Sequence, residues 1–116
     1  MIWRVKTSSF DVFIINMYLN FVEKLLLAQS CRNYKVLKEL ADDDCFLIRD
    51  QVAVNKNTTA DILEKLSDDC ESIRASVASN SNINYETFAK LIDDKSELVR
   101  EAALKNFKNR NENNNS

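Results

Sequence analysis

The chain has 116 residues, 45% of them apolar, with no glycine, proline or histidine and a formal charge of −2. A chain of this length buries one modest core, and the lack of glycine and proline argues against hairpin-rich β structure and leaves helices unbroken. Missing histidine removes the commonest general base and a favoured metal ligand, and residues 34–104 hold nine bases against fifteen acids between mildly basic ends, which does not suit a phosphate-binding surface in the middle.

In chain order, residues 9–29 read as one long N-terminal helix. Asp11, Asn16, Asn20, Glu23 and Lys24 interrupt its apolar run, more polar groups than a spanning helix of about 20 residues carries, so no membrane role is expected. No small-residue cleavage motif follows, so a signal peptide is not expected either. Phe10, Phe13, Ile14, Met17 and Phe21 form one apolar stripe. Val12, Ile15, Leu19, Val22 and Leu26 form a second. A capping helix needs one such stripe, so the other is deeply buried or kept for a partner. Trp3, Phe13, Met17 and Tyr18 are the candidate anchors there, since aromatic side chains dominate interfaces. The competing expectation is that residues 1–8 fold back over this face.

From residue 34 the chain repeats itself. Leu37, Leu40, Asp42 and Asp43 recur as Leu63, Leu66, Asp68 and Asp69, then as Phe88, Leu91, Asp93 and Asp94. Ile48, Arg49, Val52 and Asn55 recur as Ile73, Arg74, Val77 and Asn80, then as Val99, Arg100, Ala103 and Asn106. These positions lie 25 or 26 residues apart, a period that marks stacked helical units. Each unit reads as two short helices, with Asn33, Thr59 and Asn84 as N-caps of the first and Asp61 and Glu86 in its first turn. Asp94 and Glu97 have capping-box spacing ahead of a longer last helix over about residues 95–109. The Asn-x-Asn tracts at 55–57 and 80–82 are expected to supply left-handed turn residues where glycine is missing. The Asn-rich stretch 111–116 reads as a disordered tail. Segmentation is therefore 1–33, 34–110 and 111–116.

The segment "VAVNKNTTADILEKLSDDCESIRASVASNSNIN" resembles the leucine-rich repeat variant family, a relative of the HEAT-type helical repeats. Val52, Ala53, Asn55, Asn57 and Thr58 match the first part of its pattern, and Leu63, Leu66, Asp68, Asp69, Ile73 and Arg74 match the second. The likeness covers about residues 34–107. The two prolines of the pattern are replaced by Lys56 and Thr59 in one copy and by Ser81 and Asn84 in the next. The resemblance implies an all-α, right-handed solenoid of paired short helices without enzymatic activity. The Cys-rich iron–sulfur region of some members has no counterpart.

The repeated charges have a structural reading and a binding reading. Asp43, Asp69 and Asp94 are expected to pair with Arg49, Arg74 and Arg100 within or between units. Carboxylates left over would form an acidic edge for a basic partner. An arginine ladder for DNA is disfavoured by the acidic surroundings. Cys31, Cys45 and Cys70 are an odd count, read as reduced thiols in a cytoplasmic protein. Stacked units sit about 8–10 Å apart, beyond disulfide reach for Cys45 and Cys70. No cofactor and no metal is expected. Positions that differ between copies mark surface, which makes Asp50, Gln51, Ser76 and Glu101 candidate partner contacts.

The function expected is a non-catalytic protein-interaction module, an adaptor or inhibitor, with homodimerisation through the N-terminal helix as one form of partner. The alternative is a nucleic-acid-binding helical repeat using Arg4, Lys6, Lys105, Lys108 and Arg110.

Overall fold

Short runs of apolar residues separated by Asp- and Asn-rich turns fold into seven helices among the described residues. The structure, a computed structural model, describes residues 9–114, so Trp3, Arg4, Lys6 and the expected fold-back of residues 1–8 lie outside the described residues. Helix α1 is Ser9–Ser30; α2 is Tyr34–Leu40, α3 Phe46–Val54, α4 Ala60–Leu66, α5 Glu71–Ser79, α6 Tyr85–Leu91 and α7 Glu97–Asn114. No strand occurs among the described residues. The sequence units thus fold alike, a seven-residue helix followed by a nine-residue helix, except that the last helix has 18 residues.

Local chemistry sets the helix starts. Asn33 accepts a hydrogen bond from the Val36 amide and Asn84 from the Thr87 amide, which satisfies a donor the first turn would leave bare. Thr59 occupies the same position, but its hydroxyl donates to the Asp61 carboxylate and makes no cap bond. Asp94 and Glu97 do not form the expected capping box. Asp94 Oδ1 accepts from the Ser96 amide at 2.9 Å, as Asp43 accepts from Cys45, while its carboxylate faces a neighbouring arginine.

The core is one file of aliphatic side chains. Leu37, Ile48, Val52, Leu63, Leu66, Ile73, Val77, Leu91 and Val99 are all fully enclosed. Helix α3 packs between α1 and α5, and α5 packs between α3 and α7, with the shorter helices alongside. The molecule is drawn out along this file. Its principal extents are 61 × 32 × 24 Å and its radius of gyration is 18.0 Å, against about 13 Å for a spherical chain of this length.

One expectation about asparagine fails. No described residue has a positive φ; Asn55 and Asn80 are extended, at φ −68° and −80°. Their side chains are instead buried and tie adjacent units together. Asn55 Nδ2 donates to the Ala28 and Cys31 carbonyls, Asn80 Nδ2 to those of Ala53 and Asn55, and Asn106 Nδ2 to those of Ala78 and Asn80, all at 2.8–3.1 Å. The oxygens of Asn55 and Asn80 also accept from the amides of Asn57 and Asn82. Each buried amide closes a neighbour's chain reversal without glycine. The expected tail, 111–116, lies partly outside the described residues. Helix α7 continues through residues 111–114 to Asn114, because asparagine does not break a helix already nucleated and packed, and Arg110 anchors it to the Ser81 and Ile83 carbonyls.

Candidate functional site

The arginines are anchored from both sides. Arg49 Nε and Nη2 donate to the two Asp69 oxygens at 2.8 and 3.2 Å, and Arg74 makes the same fork to Asp94 at 2.9 and 3.1 Å. The Nη1 atoms reach back within their own units, Arg49 to the Asp43 carbonyl at 2.8 Å and Arg74 to the Asp69 carbonyl at 2.9 Å. Carboxylate pairing therefore runs from each unit to the next, and only the backbone contact stays within a unit. Asp43 is served by Lys24 of α1 at 2.9 Å. Arg100 keeps the backbone contact, Nη1 to the Asp94 carbonyl at 2.7 Å, but has no carboxylate partner among the described residues.

This geometry shifts the titration of the carboxylates. Hydrogen bonds from Arg74 hold the Asp94 carboxyl below the usual aspartate range, against the opposing effect of burial. The Cys45 amide and then Lys24 do the same for Asp43. Burial pushes Asp69 up, but Arg49 and the Cys70 amide together outweigh it and its pKa is lowered.

A second row flanks the first: Lys65 pairs with Asp42 and Lys90 with Asp68. Sequence reasoning does not mark these lysines, although Lys65 and Lys90 share one phase, four residues before Asp69 and Asp94. With Arg49 and Arg74 both occupied, this edge offers neither a row of free guanidinium groups nor an uncompensated acidic strip.

Among the positions that vary between copies, Asp50 and Ser76 find each other. Ser76 Oγ donates to Asp50 Oδ1 at 2.6 Å across α3 and α5. Gln51 is partly covered and Glu101 is exposed on α7. No hydrogen bond or ion pair links these four residues to Phe13, Met17 or Tyr18 among the described residues.

Helix α1 holds the largest apolar exposure. Its C-terminal half is docked: Ala28 is fully buried and Phe21 and Leu25 pack on the core. Residues 12–20 are exposed throughout, with Phe13 at 63%, Met17 at 54% and Tyr18 at 65%. Val12, Ile14, Ile15 and Leu19 join them, each at least 40% exposed, so both apolar stripes emerge from the body. Only Asn16 and Asn20 break this surface. The segment Val12–Ser30 is long and apolar enough, by length and composition, to cross a membrane.

Further features lie elsewhere on the surface. Cys31, Cys45 and Cys70 are unpaired thiols. Phe88 stacks on Phe107 at 5.3 Å beside Tyr85 and Arg110, around a cleft of about 180 Å³, below the size that encloses a typical small-molecule ligand. Of the basic residues at the C-terminal end, Lys105 and Lys108 are exposed while Arg110 is tied to backbone.

Comparison with family models, curated proteins and solved structures finds no match.

Proposed function

We propose that this chain is a non-catalytic protein-interaction module that binds another protein through the projecting half of α1. The observation that carries the reading is the run of exposed apolar side chains from Val12 to Leu19 on a helix whose other half is firmly docked. An apolar surface of this kind on a soluble chain is an interaction site or an aggregation liability. Phe13, Met17 and Tyr18 supply the large, rigid contacts that carry most interface energy.

The scaffold behind it is proposed to be a short right-handed α-solenoid of three helix-pair units, similar to the leucine-rich repeat variant family. Support comes from side-chain bonds that recur one period apart: Arg49 with Arg74, Asn55 with Asn80 and Asn106, and Lys65 with Lys90. Such a body holds α1 at a fixed angle, which lowers the entropy lost on binding. In this reading the protein is an adaptor or inhibitor in the cytoplasm, where its thiols stay reduced.

The experiment is capture of partners on the tagged chain, repeated with Phe13→Asp and Met17→Asp. A single protein retained by the parent and lost by both variants, with circular dichroism unchanged, is the expected result. Retention by the variants overturns the assignment to α1. Doubling of mass on sedimentation makes the partner a second copy. Salt-sensitive retention on duplex DNA supports the nucleic-acid alternative through Lys105 and Lys108.

A second reading has its own observation in the Val12–Ser30 segment. The part of α1 that projects from the body spans about 12 residues, or 18 Å, against a hydrocarbon core of about 30 Å. Crossing a bilayer would require α1 to release Lys24 from Asp43 and Ala28 from the core. Flotation with phosphatidylcholine vesicles, abolished by Phe13→Asp, is the outcome that favours this reading.

A further inference from the structure

The far end of the molecule, formed by α6 and α7, repeats the host groups of two pairings made earlier in the chain. On α3, Arg49 forks onto Asp69 while Asp42 takes Lys65. On α5, Arg74 forks onto Asp94 while Asp68 takes Lys90. In both cases the incoming element carries Lys-x-x-x-Asp across a helix C-terminus, in the pentads "KLSDD" and "KLIDD". The equivalent host groups on the last unit are Asp93 and Arg100. Arg100 is held in place by its Nη1 bond to the Asp94 carbonyl, as Arg74 is by the Asp69 carbonyl. Its Nε and Nη2, and the Asp93 carboxylate, have no hydrogen-bond partner among the described residues. Leu104, one helical turn after Arg100 on α7, is 44% exposed where Ala53 and Ala78 are fully buried.

We infer that this face docks a helix turn of another protein carrying lysine and, four residues later, aspartate, with lysine to Asp93, aspartate to Arg100 and an apolar contact to Leu104. Charge complementarity selects the occupant: a planar guanidinium with two free donors pairs best with a carboxylate. A second copy of the chain is a poor occupant, because its own turn carboxylates are taken: Asp43 by Lys24, Asp69 by Arg49 and Asp94 by Arg74. The opposite edge of the same face is closed. Helices α3 and α5 stop at Asn55 and Asn80 and free carbonyls for the next asparagine, whereas α7 continues through Asn106 and keeps its carbonyls in the helix. The partner is therefore read along the charged edge alone.

The test uses the full chain, ¹⁵N-labelled, titrated with a lactam-stapled helical peptide copying residues 85–100. Amide shifts centred on Arg100 and Leu104 are expected. Affinity should fall about tenfold with Arg100→Gln in the protein or Asp94→Asn in the peptide, and be unchanged with Glu86→Gln in the peptide. Absence of shifts at millimolar peptide overturns the proposal, as does equal binding of the Asp94→Asn peptide. Sedimentation showing a dimer that Arg100→Gln dissolves assigns the face to a second copy instead. Because Phe13 lies on the projecting half of α1, at the other end of the helix file, failure here leaves the Phe13→Asp capture result standing.

Discussion

Arg74 holds Asp94 through two parallel hydrogen bonds while its third nitrogen grips the Asp69 carbonyl, so one guanidinium joins two turns 25 residues apart. The two side chains are only 12% and 11% exposed. A pair so enclosed is poorly screened, and loss of one member strands the other. Arg74→Gln is expected to lower unfolding stability by about 1–3 kcal/mol, between the ranges for exposed and buried pairs. A urea-melt double-mutant cycle with Asp94→Asn should show strong coupling. Additive losses would mean that the fork contributes nothing.

The asparagine row should be less forgiving. Asn80 donates to two carbonyls and accepts from one amide, and it is 7% exposed. Asn80→Ala leaves buried carbonyls without a donor and is expected to cost about 2–4 kcal/mol. Asn109→Ala, at an exposed position of α7 away from this row, should cost far less. Thermal melts of both variants check the contrast.

Among the described residues, one buried side-chain polar group has no partner. Thr87 is 2% exposed and its hydroxyl makes no hydrogen bond. The equivalent positions hold Val36 and Ile62. Thr87→Val removes the stranded hydroxyl at nearly constant volume and is expected to raise stability by about 1 kcal/mol. An unchanged or lowered melting temperature counts against this account.

Acid should unfold the protein through the turn aspartates. Asp43, Asp61, Asp69 and Asp94 all titrate lower in the folded chain than the ordinary value of 3.8. A group depressed on folding binds its proton more readily when unfolded, so its stabilisation is complete above the ordinary value and is lost as pH falls through the folded one. Melting temperature is therefore expected to hold level from pH 7 to about 5 and to drop below about 4. In Arg74→Gln the acid limb should flatten, since Asp94 loses the largest cause of its shift.

Much of this architecture is legible from residues alone. The recurrence of Leu37, Asp43, Arg49 and Asn55 marks the units, and Asn33 and Asn84 mark helix starts by local chemistry. What the sequence withholds is partnership across a period. An asparagine after a helix reads as a turn former, because that signal is local. That Asn80 Nδ2 reaches the Ala53 carbonyl depends on how two units pack. The forward direction of the Arg74 fork is hidden for the same reason, since Asp69 and Asp94 are equally plausible partners in one dimension. The reach of α7 escaped because asparagine-rich composition speaks for disorder until a packed helix carries it along. For the interaction surface, the two stripes of α1 are visible at once, but only coordinates separate the docked half from the projecting one.

The matched spacing of these bonds makes length a whole-number quantity. Cutting out residues 56–80 would splice Asn55 to Ser81 and hand Asp94 to Arg49, with Asn106 reaching the backbone that Asn80 now serves. Such an abridged chain should still fold, merely shorter, whereas a cut of half that size would throw every later side chain out of phase. In the proposed scaffold, selection can therefore lengthen or trim the product in whole rungs while the arginine and asparagine joints stay in register.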